Sequence, residues 1–249
     1  MDFKELSISN LPTEHICCAI SDKREDSGLA LKKAWLKDRI SEGLIFRKLD
    51  ARGKVFIEYI PAEYAWSPVV APGYLYINCL WVSGSFKGKG YGAGLMESCL
   101  NDAKDIAGIV ALSSSKKRPF LSDGKFLKKY GFVKCDTAEP YFELLVLKNN
   151  PLAPDPKFSE FARNPKVDFG SGIDLFYTAQ CPFATDYADI ARNLAAEKSI
   201  KIRVHHLDTR AKSQAHPAPW STYSVFKNGR FVTHEILTAA RLEALAAEQ

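Results

Sequence analysis

Apolar positions in the first half of the chain fall mostly into short alternating or continuous runs, broken by three helical stretches. HICCAIS (15–21) reads as a strand. SGLALKKAWLKDRISEG (27–43) reads as a helix, with Leu29, Leu31, Trp35, Leu36 and Ile40 forming an approximate stripe and Gly43 as its stop. LIFRKLDARGKVFIEYI (44–60) holds two β-rich runs around a turn at 50–53, which predicts a hairpin. GYLYINCLWV (73–82) is a strongly apolar strand, and a glycine-rich loop follows it. A helix is then expected from about Tyr91 to Ile106, a strand over GIVALSSS (108–115), and a short helix inside FLSDGKFLKKYGF (120–132) ended by Gly131. FVKCD and YFELLVLK close this half as strands. The two strands flanking the glycine loop and its helix make one βαβ unit inside a mostly antiparallel sheet.

The second half repeats the alternation in a different order. IDLFYT is a strand, PFATDYADIARNLAAEKS a helix and IKIRVHHLD a strand. STYSVFKNGRFVTHEIL predicts a hairpin across Asn228-Gly229, and TAARLEALAAEQ a closing helix. Between the halves, residues 149–172 carry four prolines and two glycines. The expected organisation is therefore a domain over 1–148, a linker over 149–171 and a smaller domain over 172–249, both domains mixing α and β.

Composition narrows the class. Hydrophobic residues make up 46% and charged residues 25% of the 249 positions, so a sizeable core is expected. The net charge of +5 is spread among acids rather than gathered in one run, so no nucleic-acid partner is expected. No run approaches the length of a membrane span, and MDFKELSISNLPTE lacks the basic and apolar regions of a secretory signal. The six cysteines form no CxxC pair, and Cys17 and Cys18 would point to opposite faces of one strand. Free thiols in a reducing cytoplasm are the expectation, with no metal site among the cysteines and five histidines.

The stretch FKGKGYGAG (86–94), with four glycines and two lysines in nine residues, is the main candidate for chemistry. A Walker A loop needs Ser or Thr after Gly-Lys, and Lys89 is followed by Gly90. Gly88-x-Gly90-x-x-Ala93 matches a Rossmann GxGxxA, but an antiparallel hairpin precedes it and the next strand ends Ser113-Ser114-Ser115-Lys116, without an acid for a ribose. Lys87-Gly88-Lys89-Gly90-Tyr91-Gly92 fits a third pattern, Q/R-x-x-G-x-G/A, with lysine in the first position. A helix start offers unpaired N–H donors and partial positive charge to an anion, and glycines let the phosphates approach the backbone.

With the strand ending Leu80-Trp81-Val82 before it, and Phe126 to Gly131-Phe132 matching a "FYxxxGF" ending, this half resembles the GNAT superfamily of acyl-CoA-dependent N-acyltransferases. The resemblance implies a mixed, mostly antiparallel sheet with splayed central strands and acetyl-CoA as co-substrate. It implies a cofactor site formed by Leu80, Trp81, Val82, Lys87, Gly88, Lys89, Gly90, Tyr91, Gly92 and Ala93. Direct attack of an amine on the thioester is the implied reaction.

Two departures concern the proton transfers. Many members carry a glutamate on the strand before the loop, where this chain has Tyr76-Ile77-Asn78-Cys79. Many carry a tyrosine in the short helix, where this chain has Leu127. Tyr76 and Asn78, on one strand face, stand as catalytic candidates, with Glu58, Tyr141 and Glu143 as further possibilities. The run Lys116-Lys117-Arg118 either meets a CoA phosphate or is solvated.

In the second half, TAQCPF (178–183) places Cys181 between strand and helix, which resembles a thioredoxin-like fold. A thiol there is a redox candidate, although the partner position is Ala184 and Pro219 is displaced from the usual place. Taken together, the two halves resemble the bacterial YoaP-like acetyltransferases, which implies a cytoplasmic enzyme whose second domain shapes the acceptor site or recruits the acceptor. A CoA-binding sensor with little turnover and a thiol oxidoreductase using Cys181 are the alternatives.

Overall fold

A computed structural model of the chain describes residues 2–16 and 28–247. It divides into two compact units. One comprises residues 2–16, 33–65 and 69–158; the other comprises residues 28–32, 66–68 and 159–247.

The first unit holds β1 (Phe3–Glu5), most of α1 (Gly28–Ile40), β2 (Ile45–Leu49), β3 (Val55–Pro61), β4 (Val69–Val70) and β5 (Tyr74–Val82). It continues with α2 (Tyr91–Asp102), β6 (Gly108–Ser114), α3 (Gly124–Lys128), β7 (Val133–Ala138), β8 (Phe142–Lys148) and β9 (Lys157–Phe158). Seven strands form one sheet in the order β1-β2-β3-β5-β6-β8-β7. Only β5 and β6 run parallel; every other neighbouring pair is antiparallel. The sheet is thus mixed and mostly antiparallel, as the sequence predicts.

Of the strand expected at 15–21, His15 and Ile16 are irregular, and the remainder, with Cys17 and Cys18, lies outside the described residues. Helix α1 buries Leu29, Trp35 and Leu36, but Leu31 is 44% exposed. Residues 29 and 36 are two turns apart on one face, whereas 31 points away from both. Helix α2 buries Leu95, Met96, Cys99 and, just past its end, Ala103. It stops at Asp102, short of the expected Ile106. The Asn149 amide donates to the Ala103 carbonyl (2.6 Å) and the Ile106 carbonyl (3.5 Å), satisfying acceptors that a longer helix would have used.

One face of the sheet packs on α2, through Val55, Ile57 and Tyr59 of β3 and Leu75 and Ile77 of β5. Past the end of α2's core, Tyr59 Oη donates to Asp102 (2.5 Å), and Arg47 reaches both groups at 2.7 Å. Burial and the neighbouring carboxylate push the Tyr59 phenol well above its ordinary range.

The second unit holds β10 (Ile173–Tyr177), α4 (Pro182–Glu197), β11 (Ile202–His206), α5 (Arg210–Gln214), β12 (Tyr223–Lys227), β13 (Arg230–Thr233) and α6 (Ala239–Ala247). Its sheet order is β11-β10-β12-β13, with β10 and β11 parallel and the other pairs antiparallel. Ala184, Ala188, Ala191 and Ala195 line the inner face of α4, and these small side chains seat the helix against Leu175 and Val225. Asn228 (φ 50°) and Gly229 (φ 78°) take the left-handed pair that a two-residue hairpin turn needs. Helix α5 was not foreseen from the sequence. Thr209 caps it by accepting from the Lys212 N–H.

Candidate active site

The glycine loop lies between β5 and α2. Gly88 (φ 74°) and Gly90 (φ 80°) are both left-handed, the region in which a side chain is strained, so the glycines are needed for the path of the chain. A Cβ on Gly88 would meet no atom within 4 Å, because the loop faces open space. Gly90 is the N-cap of α2, and no side chain among the described residues caps the helix. The first bond back into the helix is Gly94 N–H to the Gly90 carbonyl at 3.0 Å. The N–H groups of Tyr91, Gly92 and Ala93 find no acceptor among the described residues. Lys87 and Lys89 are exposed beside them. Three free donors, the positive helix end and two cations converge on one exposed spot, a favourable seat for a phosphate group.

The loop's feeding strand leads to a gap in the sheet. Pairing of β5 with β6 runs from Tyr74–Gly108 to Ile77–Ala111 and stops there. Yet β5 continues to Val82, held on its other side by β3 as far as Val55–Val82, and β6 continues to Ser114, held by β8. Residues 78–82 therefore present an unpaired edge towards β6. Leu80, Trp81 and Val82 lie on it.

The fork begins at a β-bulge. Glu58 pairs with Cys79 and Tyr59 with Ile77, so Asn78 is the extra residue. The bulge inverts the side-chain parity of β5. Leu75 and Ile77 face α2 before it, and Leu80 and Val82 do so after it. The change from odd to even apolar positions within LYINCLWV was the legible signal of this bulge, and it was not read as one.

Tyr76 (2% exposed) and Asn78 (5% exposed) are both buried. The Asn78 amide donates to Glu58 Oε1 at 2.9 Å, and Glu58 is itself 1% exposed. Sequence reasoning held Glu58 as one possibility among several; the structure brings it to the fork with Asn78. Of the other possibilities, Tyr141 lies under the Arg118 guanidinium (3.7 Å to the ring centre), and Glu143 pairs with Lys134 at 3.5 Å. Lys117 pairs with Asp123 at 2.8 Å, which together with the helix-cap N–H groups holds the Asp123 carboxyl below the usual range despite partial burial. Leu127 is buried (2% exposed).

A model of the Acetyltransferase (GNAT) family matches residues 11–132, and a YoaP-like model matches residues 201–243. The "Uncharacterized N-acetyltransferase YoaP" of Bacillus subtilis (strain 168) is 43% identical over 247 residues, 98% of each chain. The chain belongs to the GNAT acetyltransferase family. As a member of that family it is an acetyltransferase, and its second unit carries the YoaP-like segment. Among solved structures, it is similar to a GNAT-family protein of Desulfovibrio desulfuricans (11% identity, 60% of this chain and 99% of that one, TM-score 0.41). It is also similar to the GNAT family N-acetyltransferase YhbS of Escherichia coli, in complex with CoA (14% identity, 64% and 89%, TM-score 0.37).

In this GNAT chain the second unit offers a different junction. Cys181 is the N-cap of α4, partly buried, with Pro182 at the first helical position. Ala184 N–H bonds back to the Cys181 carbonyl at 3.0 Å. No group of three or more His, Cys, Asp or Glu residues suited to a metal occurs among the described residues, and no described helix is long and apolar enough to cross a membrane.

Proposed function

We propose that this protein transfers the acetyl group of acetyl-CoA to an amine acceptor by direct attack, in a bacterial cytoplasm. The observation that carries the proposal is the continuity of two features: the uncapped start of α2 and the unpaired edge of β5 that leads away from it. N–H groups of Tyr91, Gly92 and Ala93, with Lys87, Gly88, Lys89 and Gly90, would hold the pyrophosphate. Backbone groups of Leu80, Trp81 and Val82 would bind the pantetheine arm as another strand would, and one of their N–H groups would polarise the thioester carbonyl. Tyr76 and Asn78 stand at the fork where the acetyl group would arrive. The order β11-β10-β12-β13, with helices following β10 and β13, supports reading 172–249 as a thioredoxin-like accessory domain that recruits or shapes the acceptor.

One observation favours a second reading, a CoA-binding protein with little turnover. Leu127 is an apolar, buried residue where a proton donor to the leaving thiolate is common in the resemblance. Calorimetry with acetyl-CoA tests the common premise of both readings. Wild type should bind, Gly90→Asp should not, and Gly90→Asn, which tolerates the left-handed backbone without a charge, should bind nearly as well as wild type. No binding by wild type would overturn both. Release of CoA thiol in the presence of amines then separates them.

A further inference from the structure

We propose that Glu58 on β3 is the group that takes the proton from the attacking amine, that Asn78 positions it, and that the acceptor is an alkylammonium rather than a neutral amine. The inference rests on the acetyl-CoA reading above.

The two faces of the sheet decide where the acceptor stands. The cofactor loop and α2 occupy the face carrying Val55, Ile57, Tyr59, Leu80 and Val82. A thioester lying in the gap between β5 and β6 is shielded on that side by α2, so a second substrate reaches it from the opposite face. Phe56 and Glu58 alternate with the α2-facing residues of β3 and therefore point to that opposite face. Trp81 lies directly across from Phe56 and shares its face. The hydrogen bond from Asn78 to Glu58 puts the Asn78 side chain there too. The carboxylate is thus on the acceptor side, bonded to the bulge residue at which the gap opens.

Asn78 supplies the second observation. Its Oδ1 is buried and has no hydrogen-bond partner among the described residues, although its Nδ2 is committed to Glu58. A buried acceptor atom without a donor is costly, and its presence at a fork signals a donor that arrives with the substrate. An ammonium group carries three N–H donors. One would satisfy Asn78 Oδ1 and another would point at the Glu58 carboxylate, directly or through one water. The indole of Trp81, 45% exposed on the same face, offers an apolar wall to the carbon chain of such an amine and a favourable surface for its charge.

Glu58 accepts one proton from R–NH3⁺. The freed amine forms the C–N bond to the thioester carbon, and the C–S bond breaks. The departing thiolate takes the second nitrogen proton and leaves as CoASH, and Glu58 returns its proton to water. A neutral arylamine needs no such first step.

The test compares wild type with Glu58→Gln, using acetyl-CoA and two probe amines: benzylamine, an ammonium at neutral pH, and p-anisidine, uncharged there. The expected result is a fall of about 10²-fold or more in kcat with benzylamine, unchanged acetyl-CoA binding, and a much smaller fall with p-anisidine. Asn78→Ala should raise KM for benzylamine more than it lowers kcat. Equal benzylamine turnover by Glu58→Gln and wild type would overturn the assignment. If Glu58→Gln loses acetyl-CoA binding, Glu58→Asp decides: restored binding with reduced kcat supports the assignment, and failure of both variants to bind marks Glu58 as structural and overturns it. Acetyl-CoA binding without turnover of either probe by wild type would overturn the alkylammonium acceptor. Absence of acetyl-CoA binding would instead strike the cofactor reading itself.

Discussion

Both units contain a strand, a short loop and a helix N-terminus, and the two junctions are built for opposite ends. At α2 the N-cap is a left-handed glycine, the first N–H groups lack acceptors among the described residues, and the neighbouring Gly88 faces open space. At α4 a proline at the first helical position removes one donor, and Pro182, Ala184 and Thr185 are buried. Gly28 approaches so closely there that an added Cβ would sit 2.0 Å from the Pro182 carbonyl oxygen, while the Gly28 N–H donates to Asp186 at 2.8 Å. The same local geometry thus serves as an open anion seat in one place and as a packed joint in the other. A helix N-terminus announces a ligand only when its donors are unspent.

The largest expected effect breaks the first junction and leaves the second alone. Gly90→Asp places a carboxylate at the donors, on a left-handed residue (φ 80°) whose backbone aspartate tolerates as asparagine does, so the charge carries the effect. Acetyl-CoA affinity should fall by about 100-fold or more, the equivalent of about 2.7 kcal/mol. Cys181→Ser, at the α4 junction, should leave that affinity within about twofold, a change of about 0.4 kcal/mol. Calorimetry on the two variants reads the contrast directly. An equal loss in both would mean that the junctions are not functionally distinct.

A smaller effect probes the packed joint. Gly28→Ala should destabilise the protein by about 2 kcal/mol, the usual range for a group forced into filled space. The backbone must shift to clear Pro182, and the bond to Asp186 weakens with it. Denaturant unfolding of the variant measures this. A melting curve like that of wild type would show the α4 junction to be looser than its distances imply.

Much of the architecture was legible beforehand for a physical reason. Apolar alternation in the hairpin over 44–60 and the Asn228-Gly229 turn are local signals, and both hairpins form where expected. The glycine loop was legible because four alternate glycines weaken a helix start and bring no packing in return. What escaped reading depends on partners distant in sequence. The end of α2 at Asp102 answers to Asn149, and the short strand β4 pairs with the distant β9. The Glu58–Asn78 couple joins two strands across a bulge. No window of sequence contains both residues in register, although the parity change in β5 marks where to look.

A third helix start, that of α3 in the first unit, is the ordinary case. At α3, Asp123 caps the helix by accepting from Lys125 N–H (3.0 Å) and Phe126 N–H (3.4 Å), so donors that α2 leaves free are satisfied internally. Asp123→Ala should cost about 1 kcal/mol of stability. The Lys117 ion pair is the strongest influence lowering the Asp123 carboxyl below its ordinary value; partial burial opposes it, and the two N–H bonds add to it. For a carboxyl held low in the folded state, the contribution is fully present above the ordinary aspartate range and is lost as the pH falls through the lowered value. The stability difference between wild type and Asp123→Ala should therefore be constant near neutrality and shrink on acidification below pH ~4. Phe126 lies 3.6 Å from where a Cβ on Gly92 would stand, so α3 also buttresses the open helix start. If acetyl-CoA affinity follows the cap in step with stability, the seat at α2 depends on its capped neighbour; if affinity holds while stability drops, the bare N–H groups of α2 suffice alone.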